Sequence, residues 1–139
     1  MRQVRRFAII FLALCGLSTI DVQASTYSDQ MEKIARLVVA EAEGEEDLGK
    51  KLVADVIFNR LTSQEFPNTL DEVLYQPGQF SSMHNGRFER VEADAHTISL
   101  VRQELYYRTD YDVLFFNTAW IPGTKHITEV GHHKFSTLE

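Results

Sequence analysis

Apolar residues recur at helical spacing over most of this chain. Met31, Ile34, Ala35 and Val38 fall at i, i+3, i+4 and i+7, which puts them on one stripe of a helix. Asp29 and Glu32 have the form of a capping box, so this helix is expected from residue 29 to about Ala42, stopping at Gly44. Asp47 can cap a second helix that reaches residue 61, with Leu52, Val53, Val56 and Ile57 inward. Thr69 and Glu72 form another box, which opens a short helix to about Tyr75 before Pro77-Gly78 breaks the chain. Val91, Ala95, Ile98, Val101 and Leu105 share a face and predict a fourth helix over residues 90–108. Residues 114–117 and 127–135 read as short extended segments around a Pro122-Gly123 turn. The expected class is mainly α (α+β): a single helical domain with a small extended C-terminal part.

The first segment does not fit that domain. Arg2, Arg5 and Arg6 precede an unbroken apolar run over residues 7–14, and Val22-Gln23-Ala24 places small residues at −3 and −1 of a cleavage site before Ser25. That is the layout of a signal peptide, and the run is short of the ~20 residues that span a bilayer. The expected organisation is a leader, residues 1–24, and one domain, residues 25–139, exported to the periplasm or to an extracellular, wall-associated position. Cys15 is the one cysteine, and Leu14 before it is too large for a lipoprotein cleavage site. The exported part then has no disulfide and depends on its hydrophobic core. The formal net charge is −6, and loss of a leader carrying three Arg makes the rest more acidic. With no basic stripe to release counterions, nucleic acid is excluded as the partner. A polysaccharide, read by hydrogen bonds and ring stacking, is not. No stable protein partner is inferred.

Candidate chemistry concentrates in Ala40-Glu41-Ala42-Glu43-Gly44-Glu45-Glu46. At ~100° per residue, Glu41 lies about 20° from Ile34 on the apolar stripe, in the last helical turn, whereas Glu43 falls on the opposite, wet face. An acid on a core-facing stripe is costly unless paired or neutral. Burial and the negative helix end both favour its protonated form, which is what a glycosidase needs to protonate a leaving oxygen. The other reading is structural: Glu41 pairs with a buried Arg, and Arg60 lies on the apolar stripe of its own helix. Tyr75-Gln76-Pro77-Gly78-Gln79-Phe80-Ser81 is a turn dense in amide, hydroxyl and aromatic groups; Phe115-Phe116-Asn117 and Trp120 can line a groove or fill a core. Asn59 is either inward and hydrogen-bonded or solvated. His84, His96, His126, His132 and His133 show no zinc-ligand spacing, so neither metal nor cofactor is expected. Adjacent His132 and His133 point opposite ways on a strand, so at most one faces a given site.

Several segments together resemble the SleB/CwlJ-type cell wall hydrolases, the spore-cortex-lytic group and its relatives. They are Leu37-Val38-Val39-Ala40-Glu41-Ala42-Glu43-Gly44-Glu45, Val53-Ala54-Asp55-Val56-Ile57-Phe58-Asn59-Arg60, Phe66-Pro67-Asn68-Thr69, Val73-Leu74-Tyr75-Gln76-Pro77-Gly78-Gln79-Phe80-Ser81, Leu114-Phe115-Phe116-Asn117 and Gly131-His132-His133-Lys134-Phe135. The resemblance implies a lysozyme-like domain with a groove. It implies cleavage of peptidoglycan glycan strands between N-acetylmuramic acid and N-acetylglucosamine, by a lytic transglycosylase or muramidase with one essential Glu. By motif position that residue is Glu41, with Tyr75, Gln79, Phe80, Ser81, Asn117, Trp120 and His133 expected to bind substrate. A hydrolytic route would draw its second carboxylate from Glu45 or Asp55. A metal-dependent amidase or peptidase and a non-catalytic wall-binding module are the readings from other classes.

Overall fold

The computed structural model describes residues 18–139, so the greater part of the expected leader, Cys15 included, lies outside the described residues. Five helices come first and a three-stranded sheet last. Helix α1 (Ser18–Ala42) starts well before Asp29, since no Gly or Pro interrupts residues 18–29 to force an earlier stop. Its expected stripe is buried, with Met31, Ile34, Ala35 and Val38 in the core. Among the described residues no helix is long and apolar enough to cross a membrane.

Helix α2 (Asp47–Thr62) is buried over nearly its whole second half, residues 52–60 without a break. It is therefore the central helix, packed by α1 on one side and α5 on another. Asp47 opens it as its first helical residue; Glu46 holds the cap position. Thr69 caps α3 (Leu70–Leu74) as expected, accepting from the Glu72 N–H. The helix expected over residues 90–108 is shorter. A short turn, α4 (Arg87–Arg90), comes first, and α5 (Ala95–Tyr106) starts anew where the Asp94 side chain accepts from the Thr97 N–H at 2.8 Å. That cap fixes the boundary more strongly than the run of apolar spacing from Val91.

The C-terminal part is an antiparallel sheet of β1 (Phe115–Asn117), β2 (Thr124–Val130) and β3 (His133–Leu138), in the order β1-β3-β2. The single extended segment expected over residues 127–135 is two strands joined at Gly131-His132. Gly131 has φ +57°, a left-handed conformation that suits glycine in a tight turn. Phe116 pairs with Phe135, and Asn117 with Lys134. Phe135 sits in the core with Phe80, Val113 and the α1 and α2 side chains, which joins the sheet to the helices.

Candidate active site

Glu41 ends the buried stripe of α1 and is only partly covered. Its Oε1 accepts two hydrogen bonds from Ser82, the backbone N–H at 3.2 Å and the Oγ–H at 2.5 Å. Ser82 lies in a 3-10 turn, residues Ser81–Met83, whose tight winding turns Ser82 inward and leaves Ser81 exposed. The hydroxyl that reaches Glu41 is thus that of Ser82, next to the expected Ser81; the Ser-Ser pair was visible in the sequence, but the 3-10 turn that chooses between them was not. The same segment grips α1 again beyond Glu41. Arg87 donates to the Ala40 carbonyl at 2.6 Å and to Glu43 at 2.8 Å, and Arg36 donates to the Val91 carbonyl at 2.7 Å.

Arg60 is not the partner of Glu41. It is buried, donates to the Leu114 carbonyl at 2.8 Å, and stacks on Phe66, Phe80 and Phe115 with its guanidinium carbon 4.9, 5.0 and 5.4 Å from their centroids. Burial draws its pKa down to about 10, which leaves it charged at neutral pH. The purely structural pairing weighed for Glu41 is therefore absent from the described residues.

Glu45 and His133 complete the constellation. The Glu45 side chain is only 7% exposed. Both its oxygens accept from the His132 backbone N–H at 3.2 Å, and Oε1 lies 2.8 Å from His132 Nδ1. Burial alone would raise its pKa, but the His132 hydrogen bonds and the nearby imidazoles outweigh burial and hold it below the ordinary value. His133 points the other way, as strand alternation requires. It is buried, 5.0 Å from the Phe116 ring, and its Nδ1 has no hydrogen-bond partner among the described residues. Burial pulls its pKa down, while Glu45 and Glu41, both near enough to act on it, push the other way.

The remaining expected residues separate. Phe80 is 1% exposed and packs on Arg60 and Phe116 as core, not groove lining. Gln79 is partly exposed on its turn, where its N–H donates to the Gln76 carbonyl. Tyr75 is exposed with the Lys33 ammonium over its ring; Lys33 and Glu41 are eight residues apart on α1, about 12 Å along the axis. Trp120 stacks on His126 at 3.9 Å, with the Lys134 ammonium 5.7 Å from its ring. By strand alternation Lys134, and with it Asn117, belongs to the sheet face opposite His133. The structure thus brings Glu41, Ser82, Glu45, His133 and Phe116 together and sets Tyr75, Asn117 and Trp120 apart from them. The histidines are dispersed among separate partners, His96 on Asp47 and His126 on Trp120.

A second pair of acids lies elsewhere. Asp55 of α2 and Glu104 of α5 are both buried. Each accepts a backbone N–H from the loop after α5: Asp110 to Asp55 at 2.8 Å and Thr109 to Glu104 at 2.6 Å. Burial first, and then the charge and hydrogen bond of Glu104, push Asp55 up to about 8, against the pull of the Asp110 N–H and Arg108. Asn59 fastens the same loop, donating to the Asp110 and Val113 carbonyls. Asp55 is therefore occupied in the interior.

A helical domain backed by a small sheet, with a carboxyl at a helix end, has the lysozyme-like build, and two solved structures share the fold. One is the catalytic domain of SleB from Bacillus anthracis, described as a germination-specific lytic transglycosylase; it is 26% identical, with a TM-score of 0.68 over 78% of this chain and 93% of that one. The other is the catalytic domain of the Bacillus cereus SleB protein, 27% identical, with a TM-score of 0.69 over 78% and 89%. Residues 44–136 match the family model described as Cell Wall Hydrolase. The chain belongs to the cell wall hydrolase family. That match holds Glu45, Ser82 and His133 and begins just after Glu41. Among curated relatives, a spore cortex-lytic enzyme of Bacillus cereus is 30% identical over 113 residues, covering 77% of this chain and 44% of the relative. The cell wall hydrolase CwlJ of Oceanobacillus iheyensis is 41% identical over 64 residues, 42% and 45% of the two chains. This chain thus spans less than half the length of these relatives.

Proposed function

We propose that this chain cleaves peptidoglycan glycan strands at the bond from N-acetylmuramic acid to N-acetylglucosamine, as a lytic transglycosylase in which Glu41 is both acid and base. The observation that carries this reading is the setting of Glu41. It is partly open, with Oε1 alone fixed by Ser82. Its neighbour Glu45 is covered and engaged on both oxygens. A single available carboxyl suits a reaction whose nucleophile belongs to the substrate. Protonated Glu41 gives its proton to the glycosidic oxygen as the bond from muramic C1 breaks and an oxocarbenium-like centre forms. The resulting carboxylate takes the proton of the muramic 6-hydroxyl, whose oxygen closes onto C1. The products are a 1,6-anhydromuramic end and a free N-acetylglucosamine hydroxyl, with Glu41 again protonated and no water consumed. Ring closure gains from proximity because both reacting atoms lie in one sugar. His133 is proposed to meet the substrate beside Glu41, and Gln79 to meet it from the turn.

Digestion of purified peptidoglycan followed by mass spectrometry of the muropeptides tests the reading. Anhydromuramic ends are expected, and they should vanish with Glu41→Gln. Reducing muramic ends would assign hydrolysis. Cleaved peptide stems would replace the glycosidase with an amidase, and binding without products would leave a wall-binding module.

Export through residues 1–24 belongs to the same reading, supported by the basic start, the apolar run and the Ala24 boundary. Terminal sequencing of exported protein should find Ser25 first; recovery of Met1 would refute cleavage.

A further inference from the structure

We propose that Glu45 is a positioning residue and not a second reacting carboxyl: it clamps the β2–β3 turn onto the end of α1 and thereby sets the His133 ring beside Glu41. This rests on the reading of Glu41 as the acid.

Three features of the contact carry the inference. The Glu45 carboxyl is directed at a main chain, taking the His132 N–H between its two oxygens, and the His132 ring closes over Oε1. Two glycines make room for it. A Cβ on Gly131 would lie 1.6 Å from Glu45 Oε2, so a side chain there would displace the carboxyl, and a Cβ on Gly49 would lie 3.0 Å from the Glu45 Cβ. Finally, the residue that follows the clamped N–H is His133, whose buried ring packs on Phe116 and within electrostatic reach of Glu41. A carboxyl engaged on both oxygens at 7% exposure is poorly placed to reach water or a sugar carbon. The same bonds suit a hinge pin between a helix end and a strand turn. Because the ring is placed through its own backbone, a small slip at Glu45 is passed directly to His133.

The test compares Glu45→Ala, Glu45→Gln, His133→Ala and the double variant Glu45→Ala/His133→Ala on purified peptidoglycan. Glu45→Ala should lower kcat by roughly 10- to 100-fold, the scale of an ångström misplacement. Glu45→Gln, whose amide oxygen still accepts the His132 N–H, should recover most of that loss. Azide or formate should not rescue Glu45→Ala, and anhydromuramic ends should persist in every variant. The double variant should lose little more than either single one, since both interrupt one linkage. Rescue of Glu45→Ala by azide or formate, with Glu45→Gln as inactive as Glu45→Ala, would overturn the proposal in favour of a reacting carboxyl. Wild-type turnover in Glu45→Ala, or additive losses in the double variant, would overturn it in favour of no linkage. If Glu45→Ala does not fold, Glu45→Gln and the cycle built on it decide the matter. Retention of activity in Glu41→Gln would instead remove the underlying assignment of the acid.

Discussion

At the end of α1, Glu41 and Glu45 are met by donors: a serine hydroxyl, two backbone N–H groups and an imidazole. Between α2 and α5, Asp55 and Glu104 are buried near each other, with one backbone N–H apiece and Lys51 at 3.6 Å from Glu104. The regions hold similar acids and treat them in opposite ways. Donors hold Glu45 below its ordinary pKa, while burial against a second carboxyl pushes Asp55 far above it. Partial exposure leaves Glu41 open to a ligand, while Glu45 is covered and held by His132. Full burial makes the second pair an internal fastening for the loop that leads from α5 to β1.

The largest expected effect lies at Glu41. Glu41→Gln should reduce cleavage at least ~100-fold, the lower end for a lost general acid, with melting close to wild type. Glu104→Gln should do the reverse, leaving turnover per folded molecule intact while changing stability. Paired activity assays and melting curves check both, and an active Glu41→Gln protein would erase the contrast. Next is Ser82→Ala, which strips one of the two donors from Glu41. It should cost about 10-fold in kcat, or ~1.4 kcal/mol; unchanged kcat in steady-state assays would make Ser82 a bystander.

The comparison also predicts opposite pH responses. Asp55 is raised from 3.8 to about 8 in the folded state, so the folded chain keeps a proton that the unfolded chain releases. Its contribution to stability is full below pH ~4 and is lost as pH rises toward ~8. Glu45 is lowered from 4.5, so its contribution is present above that value and is lost as pH falls through the folded one. Melting curves across pH should therefore show a decline between pH 4 and 8 that Asp55→Asn flattens. A change of ~1 kcal/mol would move Tm by about 4 °C; identical pH profiles for the two proteins would dismiss the proton retained at Asp55. The smallest effect is expected at Glu43, which is exposed and paired with Arg87. Glu43→Gln should leave turnover unchanged and cost under ~1 kcal/mol, as exposed ion pairs do. A larger activity loss there than at Glu41 would overturn the placement of the acid on the helix.

Much of this was legible in the residues. Period 3.6 in α1 placed Glu41 on the same side as Ile34 and Val38 and sent Glu43 to solvent. The Thr69 box gave α3 its start. What escaped depends on contacts remote in sequence. Nothing local distinguishes Ser82 from Ser81, because their difference arises in a turn held against α1 from 41 residues away. Phe80 sits in a sugar-binding kind of segment yet turns into the core, where Arg60 needs aromatic faces. In α2 the wheel fails for another reason. A helix buried on every side has no wet face to read, so the sequence left open whether Asn59 turns inward and whether Asp55 is available to react.

The strand order has a consequence for the life of the chain before it is an enzyme. Strand β3 follows β1 and β2 in the sequence yet lies between them. Until residues 133–138 are available, neither earlier strand has its partner, and the imidazole at the head of β3 cannot be delivered to the helix end. Synthesis proceeds from the N-terminus at ~5–20 residues per second, so a growing polypeptide carries Glu41 for several seconds without the sheet behind it. Helices α1 and α2 can begin to associate in that interval, but pairings this far apart in sequence close slowly. The constellation around Glu41 is complete only once residues 133–138 have joined the sheet.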